Sequence, residues 1–294
     1  MNLVIGGTGM LGMEICRRLR VAGQDARALV RPTADAGRRR ELEAMGVKLV
    51  EGDLKAPASL QAACAGVQAV ISTASSTFSR QAGDSIETVD RLGQLALVDA
   101  AQAAGVDRFV FVSFRDNPRI QYPLTAAKRA VEGRLRASGL GYTILQASFF
   151  EEVWLTPALG FDPAGGRARI YGDGTRKISW ISYKDVAQFA VAALQAPGTR
   201  GATLEVGGPE ALSPREVVRM FEAAGAAEIT SEYVPEGALW DQFNAAQDPL
   251  QKSFAGLMLQ YAAGDAIDVA KANALLPIRL ASVRDYVSTV MARR

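Results

Sequence analysis

Short apolar runs alternate with stretches in which apolar residues recur every three or four positions, and this rhythm governs the first half of the chain. Leu3-Val4-Ile5 reads as a buried strand. Residues 11–22 then place Leu11, Ile15 and Leu19 on one helical face, with Arg17, Arg18 and Arg20 among them. Further strands are predicted over 26–30, 48–51, 69–72, 108–113 and 142–146, with helical patterns near 38–45, 57–65, 87–104 and 123–138 between them. Strands that are apolar almost throughout and joined through helices pair in parallel, with both sheet faces covered. The fold class expected is α/β, a doubly wound parallel sheet.

After residue 150 the rhythm changes. Residues 160–174 are rich in Gly, Pro and charge and are expected to be loop, whereas 177–181 and 203–206 read as short strands. Helical patterns follow at 184–195, 213–224, 236–262 and 282–292. This pattern divides the chain into a nucleotide-binding domain over 1–150 and a smaller α+β C-terminal substrate domain over 151–294, with a discontinuous boundary expected. The second domain is expected beside the carboxyl ends of the parallel strands, where doubly wound sheets bind ligands.

Gly6-Gly7-Thr8-Gly9-Met10-Leu11-Gly12 stands between the first strand and the first helix. Glycines there permit a tight turn and let the backbone approach a pyrophosphate, while the helix N-terminus offers N–H groups and the positive end of its dipole. Strand, glycine loop and helix at the chain start give this motif the context of a Rossmann dinucleotide site. NAD-binding sheets place an acid about 20 residues past the loop for the ribose 2′-hydroxyl. Here that position is Arg31, in Leu29-Val30-Arg31-Pro32, and no carboxylate lies between Asp25 and Asp35. A guanidinium suits a 2′-phosphate and cannot accept from a hydroxyl, so NADP(H) is expected over NAD(H). Arg38, Arg39 and Arg40 read either as a second source of positive charge or as a solvated helix face. Gly52-Asp53-Leu54 closes the third strand and Ser72-Thr73-Ala74-Ser75-Ser76 the fourth. Both fit a nucleotide cleft, and both also fit simple turn chemistry.

Composition narrows the chemistry further. The chain has 294 residues, 49% hydrophobic, with a net charge of +2 that argues for no nucleic-acid partner. It has no histidine, which excludes His-dependent nucleophilic catalysis and His-ligated metal, and no metal site is expected. Cys16 and Cys64 fall in helical patterns with apolar neighbours and read as buried small hydrophobes. No apolar stretch reaches 18 residues and the N-terminus enters a strand directly, so a soluble cytoplasmic protein without a membrane partner is the expectation.

With these residues placed, the chain resembles the NmrA-like branch of the atypical short-chain dehydrogenases/reductases. The resemblance is carried by GGTGMLG at 6–12, LVR at 29–31, GDL at 52–54, Ala126-Ala127-Lys128-Arg129, and Tyr142-Thr143-Ile144-Leu145 ahead of Ser148-Phe149-Phe150. Gly172-Asp173-Gly174 and 181–187 also match in style, so the likeness spans essentially the whole chain. It implies a cofactor groove formed by Gly6, Thr8, Gly9, Met10, Leu11, Gly12, Arg31, Asp53, Leu54, Thr73, Ala74, Ser75 and Lys128. Ser148, Phe149 and Phe150 are then expected over the nicotinamide, although Glu151-Glu152-Val153 follows where similar proteins carry Asn.

Ordinary short-chain dehydrogenases use a Ser, and a Tyr four residues before a Lys; the Tyr moves the proton and the Lys lowers its pKa. Leu124 occupies that Tyr position here. Tyr122 stands six residues before Lys128, just ahead of Pro123, and Ser113 ends the fifth strand. The resemblance therefore makes Lys128, Tyr122 and Ser113 the catalytic candidates, with a solvated basic face as the alternative reading of Lys128. Two functions follow. One is NADPH-dependent reduction of a small carbonyl, quinone or enone compound. The other is a non-catalytic NADP(H)-sensing regulatory protein acting through a protein partner. A homodimer is left open.

Overall fold

In the computed structural model of the chain, residues 1–78 and 81–292 are described. Seven strands form one sheet in the order β3-β2-β1-β4-β5-β6-β9, from β1 (Asn2–Ile5), β2 (Ala26–Val30), β3 (Lys48–Glu51), β4 (Ala69–Ser72), β5 (Arg108–Ser113), β6 (Gly141–Ala147) and β9 (Ala202–Val206). The pairings from β3 through β6 are all parallel. The crossovers are helical: α1 (Met10–Val21), α2 (Ala36–Ala44), α3 (Pro57–Cys64), α4 (Gln94–Ala103) and α5 (Pro123–Ala137). Strand order reverses between β1 and β4, which makes the carboxyl edge there the switch point of a doubly wound sheet. Among the described residues no helix is long and apolar enough to cross a membrane.

The chain forms two compact units. The first comprises Met1–Phe114, Pro123–Gln146 and Val186–Leu204, and the second Arg115–Tyr122, Ala147–Asp185 and Glu205–Arg294. Val186–Leu204 thus groups with the N-terminal segments rather than with the rest of 151–294. In the first unit Leu3, Val70, Phe109, Phe111, Val131, Leu135 and Ile144 are fully buried on one side of the sheet. Cys16 and Cys64 are free and buried, and burial pushes their thiols up to about 12 and about 11, so neither is a ready nucleophile.

The second unit departs from the sequence reading in three places. Residues 160–174 are not merely loop: β7 (Phe161–Asp162) and β8 (Arg167–Tyr171) pair antiparallel, and β10 (Thr230–Val234) adds parallel to β8. In β8, Arg167 and Arg169 are exposed while Ala168 and Ile170 are buried, a true alternation hidden by its glycine-rich flanks. Residues 177–181 form no strand, only isolated bridges from Ile178 to Leu212 and Asp265 and from Ile181 to Phe150. The expected helix 236–262 is two, α9 (Glu236–Ala245) and α10 (Pro249–Ala263). Asp248 restarts the helix by accepting from the N–H groups of Leu250 and Gln251, with Pro249 at the first position.

The second unit's core is aromatic. Tyr261 lies 5.9 Å from Phe149, 5.6 Å from Trp154, 5.3 Å from Tyr171 and 5.6 Å from Trp180, ring centroid to ring centroid. Nearby, Glu151 opens α6 (Glu151–Trp154) and is 2% exposed, with Oε2 lacking a hydrogen-bond partner. Burial, reinforced by the charges of Glu152, Asp185 and Asp285, pushes its carboxyl from 4.5 up to about 9. Folding therefore takes up a proton between these two values, and stability falls as pH rises through that window. Glu151→Gln, which keeps the neutral shape, is expected to raise the melting temperature at pH 8 and to change it little at pH 5. Equal melting shifts at the two pH values would contradict a protonated Glu151.

Candidate functional site

Register brings the candidate residues of the first unit to one edge. Ile5 lies opposite Leu29 and Ser72, and Val30 opposite Glu51. The residues that follow these strand ends, Gly6, Arg31, Gly52 and Thr73, therefore line the carboxyl edge around the switch point. Thr73 is tied in place by its N–H and hydroxyl, which donate to the Ile5 carbonyl at 3.0 and 3.1 Å.

Backbone proximity explains two of the glycines. Gly6 has φ of 85°, and a Cβ there would lie 2.7 Å from Thr73 Oγ1. A Cβ on Gly12 would come within 2.1 Å of the Gly6 carbonyl oxygen, so α1 can rest on the turn only without a side chain. Gly9 caps α1 without a side-chain hydrogen bond, and the first turn carries no acid. Those N–H groups thus face the strand edge with no competing carboxylate, the arrangement that binds an anion. Thr8 is half-buried, Gly9 and Met10 are exposed, and Leu11 packs inward.

The loop after β4 is held from behind by residues the sequence reading did not single out. The helix expected over 87–104 opens with eight π-helical residues, Ile86–Gly93, before α4. On it Asp90 and Gln94 are fully buried. Gln94 accepts from Ser72 Oγ at 2.8 Å and donates to the Ala74 carbonyl at 3.0 Å, while Asp90 Oδ2 accepts from the N–H and Oγ of Ser76 at 3.0 and 2.6 Å. Alternate loop positions are thereby pinned, leaving Thr73, Ala74 and Ser75 half-buried at the surface. The signal was available as two polar residues four apart among apolar ones, on a helix packed against the sheet.

At the ends of β2 and β3, Arg31 Nη1 pairs with Asp84 Oδ2 at 2.6 Å. Asp53 Oδ1 accepts from the Lys55 N–H at 2.8 Å, so part of its role is turn chemistry, and Leu54 is buried. Arg38 and Arg40 are exposed, and Arg39 binds Glu51 and the Arg31 carbonyl. Of the triplet, only Arg39 contributes to the strand edge.

Lys128 on α5 is 5% exposed, so it is no member of a solvated face. Its Nζ donates to the Val112 carbonyl at 3.3 Å and lies 4.8 Å from the centroid of the Phe111 ring. Burial pulls its pKa down, opposed by the carboxylates of Asp90 and Glu132. Asp90 Oδ1 is buried without a hydrogen-bond partner. Ser113 is engaged elsewhere: its Oγ donates to the buried Glu132 Oε1 at 2.7 Å and accepts from Arg129 Nη2 at 3.0 Å. Glu132 also takes Gln146 Nε2 at 3.1 Å and Arg136 at 3.2 Å, which makes it the hub of a structural network.

Tyr122, Ser148, Phe149 and Phe150 belong to the second unit. Tyr122 is 3% exposed, and its hydroxyl donates to Gln260 Oε1 at 2.8 Å; Gln260 Nε2 in turn donates to the Arg115 carbonyl at 2.9 Å. The Ser148 N–H donates to the Val206 carbonyl at 2.9 Å. Phe149 is buried edge-on to Trp154, with centroids 4.8 Å apart, whereas Phe150 is half-buried and bridges to Ile181.

Comparison with known proteins agrees with this architecture. The model of the NmrA-like family matches residues 2–278. The chain is 35% identical over 226 residues to the NAD(P)H azoreductase of Xenophilus azovorans, covering 76% of this chain and 73% of the relative. It is 32% identical over 225 residues to the photosystem II assembly factor Ycf39 of Trieres chinensis, covering 75% and 67%. In structure it is similar to the NADPH-dependent quinone oxidoreductase QOR2 of Escherichia coli complexed with NADPH, at a TM-score of 0.79 over 99% of both chains with 20% identity. The family match spans both compact units and includes the glycine loop, Arg31 and Lys128, and the chain belongs to the NmrA-like family.

Proposed function

We propose that this chain is an NADPH-dependent reductase of a small carbonyl, quinone or enone compound. The observation that carries the reading is the strand edge itself. The Gly6–Gly12 approach leaves a side-chain-free cradle before an uncapped helix N-terminus, and a guanidinium stands where a ribose-binding acid would be. These groups fit NADP(H), with α1 facing the pyrophosphate and Arg31 the 2′-phosphate. The azoreductase relative and the quinone reductase of similar fold support the same cofactor class.

The bound cofactor supplies the hydride. Lys128 is the chain's own proton source: it is buried, and beyond the Val112 carbonyl no other hydrogen-bond acceptor meets it among the described residues. Asp90 and Glu132 keep its ammonium form accessible against the pull of burial. That leaves N–H bonds for an oxygen that gains negative charge as the substrate is reduced. Neither Ser113 nor Tyr122 is needed as the proton donor, since each hydroxyl already donates within the chain, to Glu132 and to Gln260.

Those same commitments favour a second reading, a non-catalytic NADP(H)-sensing protein that acts through a protein partner. The assembly-factor relative adds to it. Turnover separates the two: a sensor binds NADPH and captures its partner in a nucleotide-dependent way without oxidising NADPH.

Two outcomes are expected of the reductase. Arg31→Ala lowers NADPH affinity about ten- to hundredfold, or roughly 1.5–3 kcal/mol for a charged phosphate contact, and leaves NADH affinity alone; titration of both nucleotides checks it. Unchanged affinity for both would remove the 2′-phosphate assignment. Lys128→Met fills the same buried space but takes a nearby cation from the buried Asp90 and Glu132, so the melting temperature falls. The assay is run well below it, with NADPH binding as the check that the variant is folded. Turnover with a quinone series then falls by a factor on the order of 10² or more. Retained turnover would rule out Lys128 as the proton source.

A further inference from the structure

We infer that Lys55 and Asp84 complete the 2′-phosphate site, Lys55 as a second phosphate-binding cation and Asp84 as the positioning residue that holds Lys55 and Arg31 side by side. The inference rests on the NADP(H) reading and extends it to two residues from separate loops. Arg31 follows β2, Lys55 follows β3, and Asp84 precedes the π-helical segment. Their side chains meet on one carboxylate. Asp84 Oδ2 accepts from Arg31 Nη1 at 2.6 Å and from the Gln81 N–H at 2.9 Å, while Oδ1 accepts from Lys55 Nζ.

Burial orders the three groups. The Asp84 side chain is 1% exposed, whereas those of Arg31 and Lys55 are 25% and 24% exposed. The acid thus sits inside and both cations present surface to solvent. Two adjacent cations repel unless an anion offsets them, and the shared carboxylate does so from beneath. Burial works against ionised Asp84, yet the hydrogen bonds from Lys55, Arg31 and the Gln81 N–H outweigh it and hold the carboxyl below its usual range.

The loop that delivers Asp84 is fastened to the same edge. Gln81 exchanges side-chain hydrogen bonds with Thr33, and Lys55 Nζ donates to the Ala82 carbonyl at 3.3 Å. Lys55 has a looser contact with Asp53 Oδ2 at 3.6 Å, from a carboxylate 26% exposed. A phosphate, with close to two negative charges, competes well for such a partner, whereas a ribose hydroxyl does not. Arg39 is poorly placed for the same task, because its guanidinium is directed to Glu51 and the Arg31 carbonyl.

The experiment is a titration of the full chain with NADPH and with NADH, for wild type, Arg31→Ala, Lys55→Met, Lys55→Arg, Asp84→Asn and the Lys55→Met/Asp84→Asn double variant. Lys55→Met should lower NADPH affinity about tenfold, a typical charge-assisted contact, with NADH unchanged and the loss largely restored by Lys55→Arg. If Asp84 positions Lys55, the penalty of Lys55→Met shrinks to less than about threefold in the Asp84→Asn background, the coupling expected of residues in contact. An undiminished Lys55 penalty there overturns the role of Asp84. A full NADPH preference in Lys55→Met, with Arg31→Ala losing it, overturns the role of Lys55 alone. A wild type that does not prefer NADPH overturns the cofactor reading beneath both. Should Asp84→Asn fail to fold, the variants of the partly exposed Lys55 still decide the first claim.

Discussion

Helix α1 rests directly on the turn before it, with the Gly6 carbonyl 2.1 Å from where a Cβ on Gly12 would stand. No side chain survives at that contact. It brings the helix N-terminus up to the carboxyl edge of the sheet, and the edge acquires a concentration of N–H groups it would otherwise lack. The parallel registers of β1, β2, β3 and β4 then determine which residues share that edge. Arg31, Thr73 and the turn at Gly52 are neighbours of the cradle because their strands end level with β1.

A second constraint is the placing of buried polar groups behind the surface that a ligand would meet. Asp84 lies behind Arg31 and Lys55, Asp90 and Gln94 behind the β4 loop, and Glu132 behind Ser113. Each would be costly to bury alone and finds partners: the carboxylates of Asp84 and Glu132 accept from several donors, Asp90 Oδ2 from two, and Gln94 both accepts and donates, with Asp90 Oδ1 as the exception. Asp90 Oδ1 lies within the electrostatic reach of Lys128, whose Nζ donates to the Val112 carbonyl. Lys128 differs from Ser113 and Tyr122. The serine and tyrosine hydroxyls have been absorbed into the scaffold of their respective units, whereas the lysine has not.

The sheet of the first unit was legible because its signals are local and repeated. Apolar strands, helical periodicity, a glycine loop and the spacing to Arg31 each lie within a few residues of one another. Lys55 and Asp84 were not legible, since nothing local ties a lysine after β3 to an aspartate before Ile86; only the folded loops bring them to Arg31. The π-helical turn that carries Asp90 packs against α5, a tertiary contact that composition does not announce. In the second unit, glycine-rich flanks hid β7 and β8, and the restart at Asp248-Pro249 was lost inside a long apolar periodicity. Tyr122 was placed by analogy with a Tyr–Lys pair, and its hydrogen bond to Gln260 of α10 comes from a tertiary contact that analogy does not supply.

On the reading proposed above, NADPH bound at this strand edge passes a hydride to a small oxidised substrate. The decisive measurement mixes the protein with NADPH deuterated at C4 of the nicotinamide and a series of carbonyl and enone compounds, whose products keep the label on carbon, and analyses them by mass spectrometry. Quinones are followed instead by NADPH oxidation and quinol formation, because a quinol O–D exchanges with water. Deuterium is expected in a reduced product, with transfer lost in Lys128→Met. Tight NADPH binding with no deuterium in any carbonyl or enone product and no quinone-dependent NADPH oxidation would contradict it and leave the sensing role in its place.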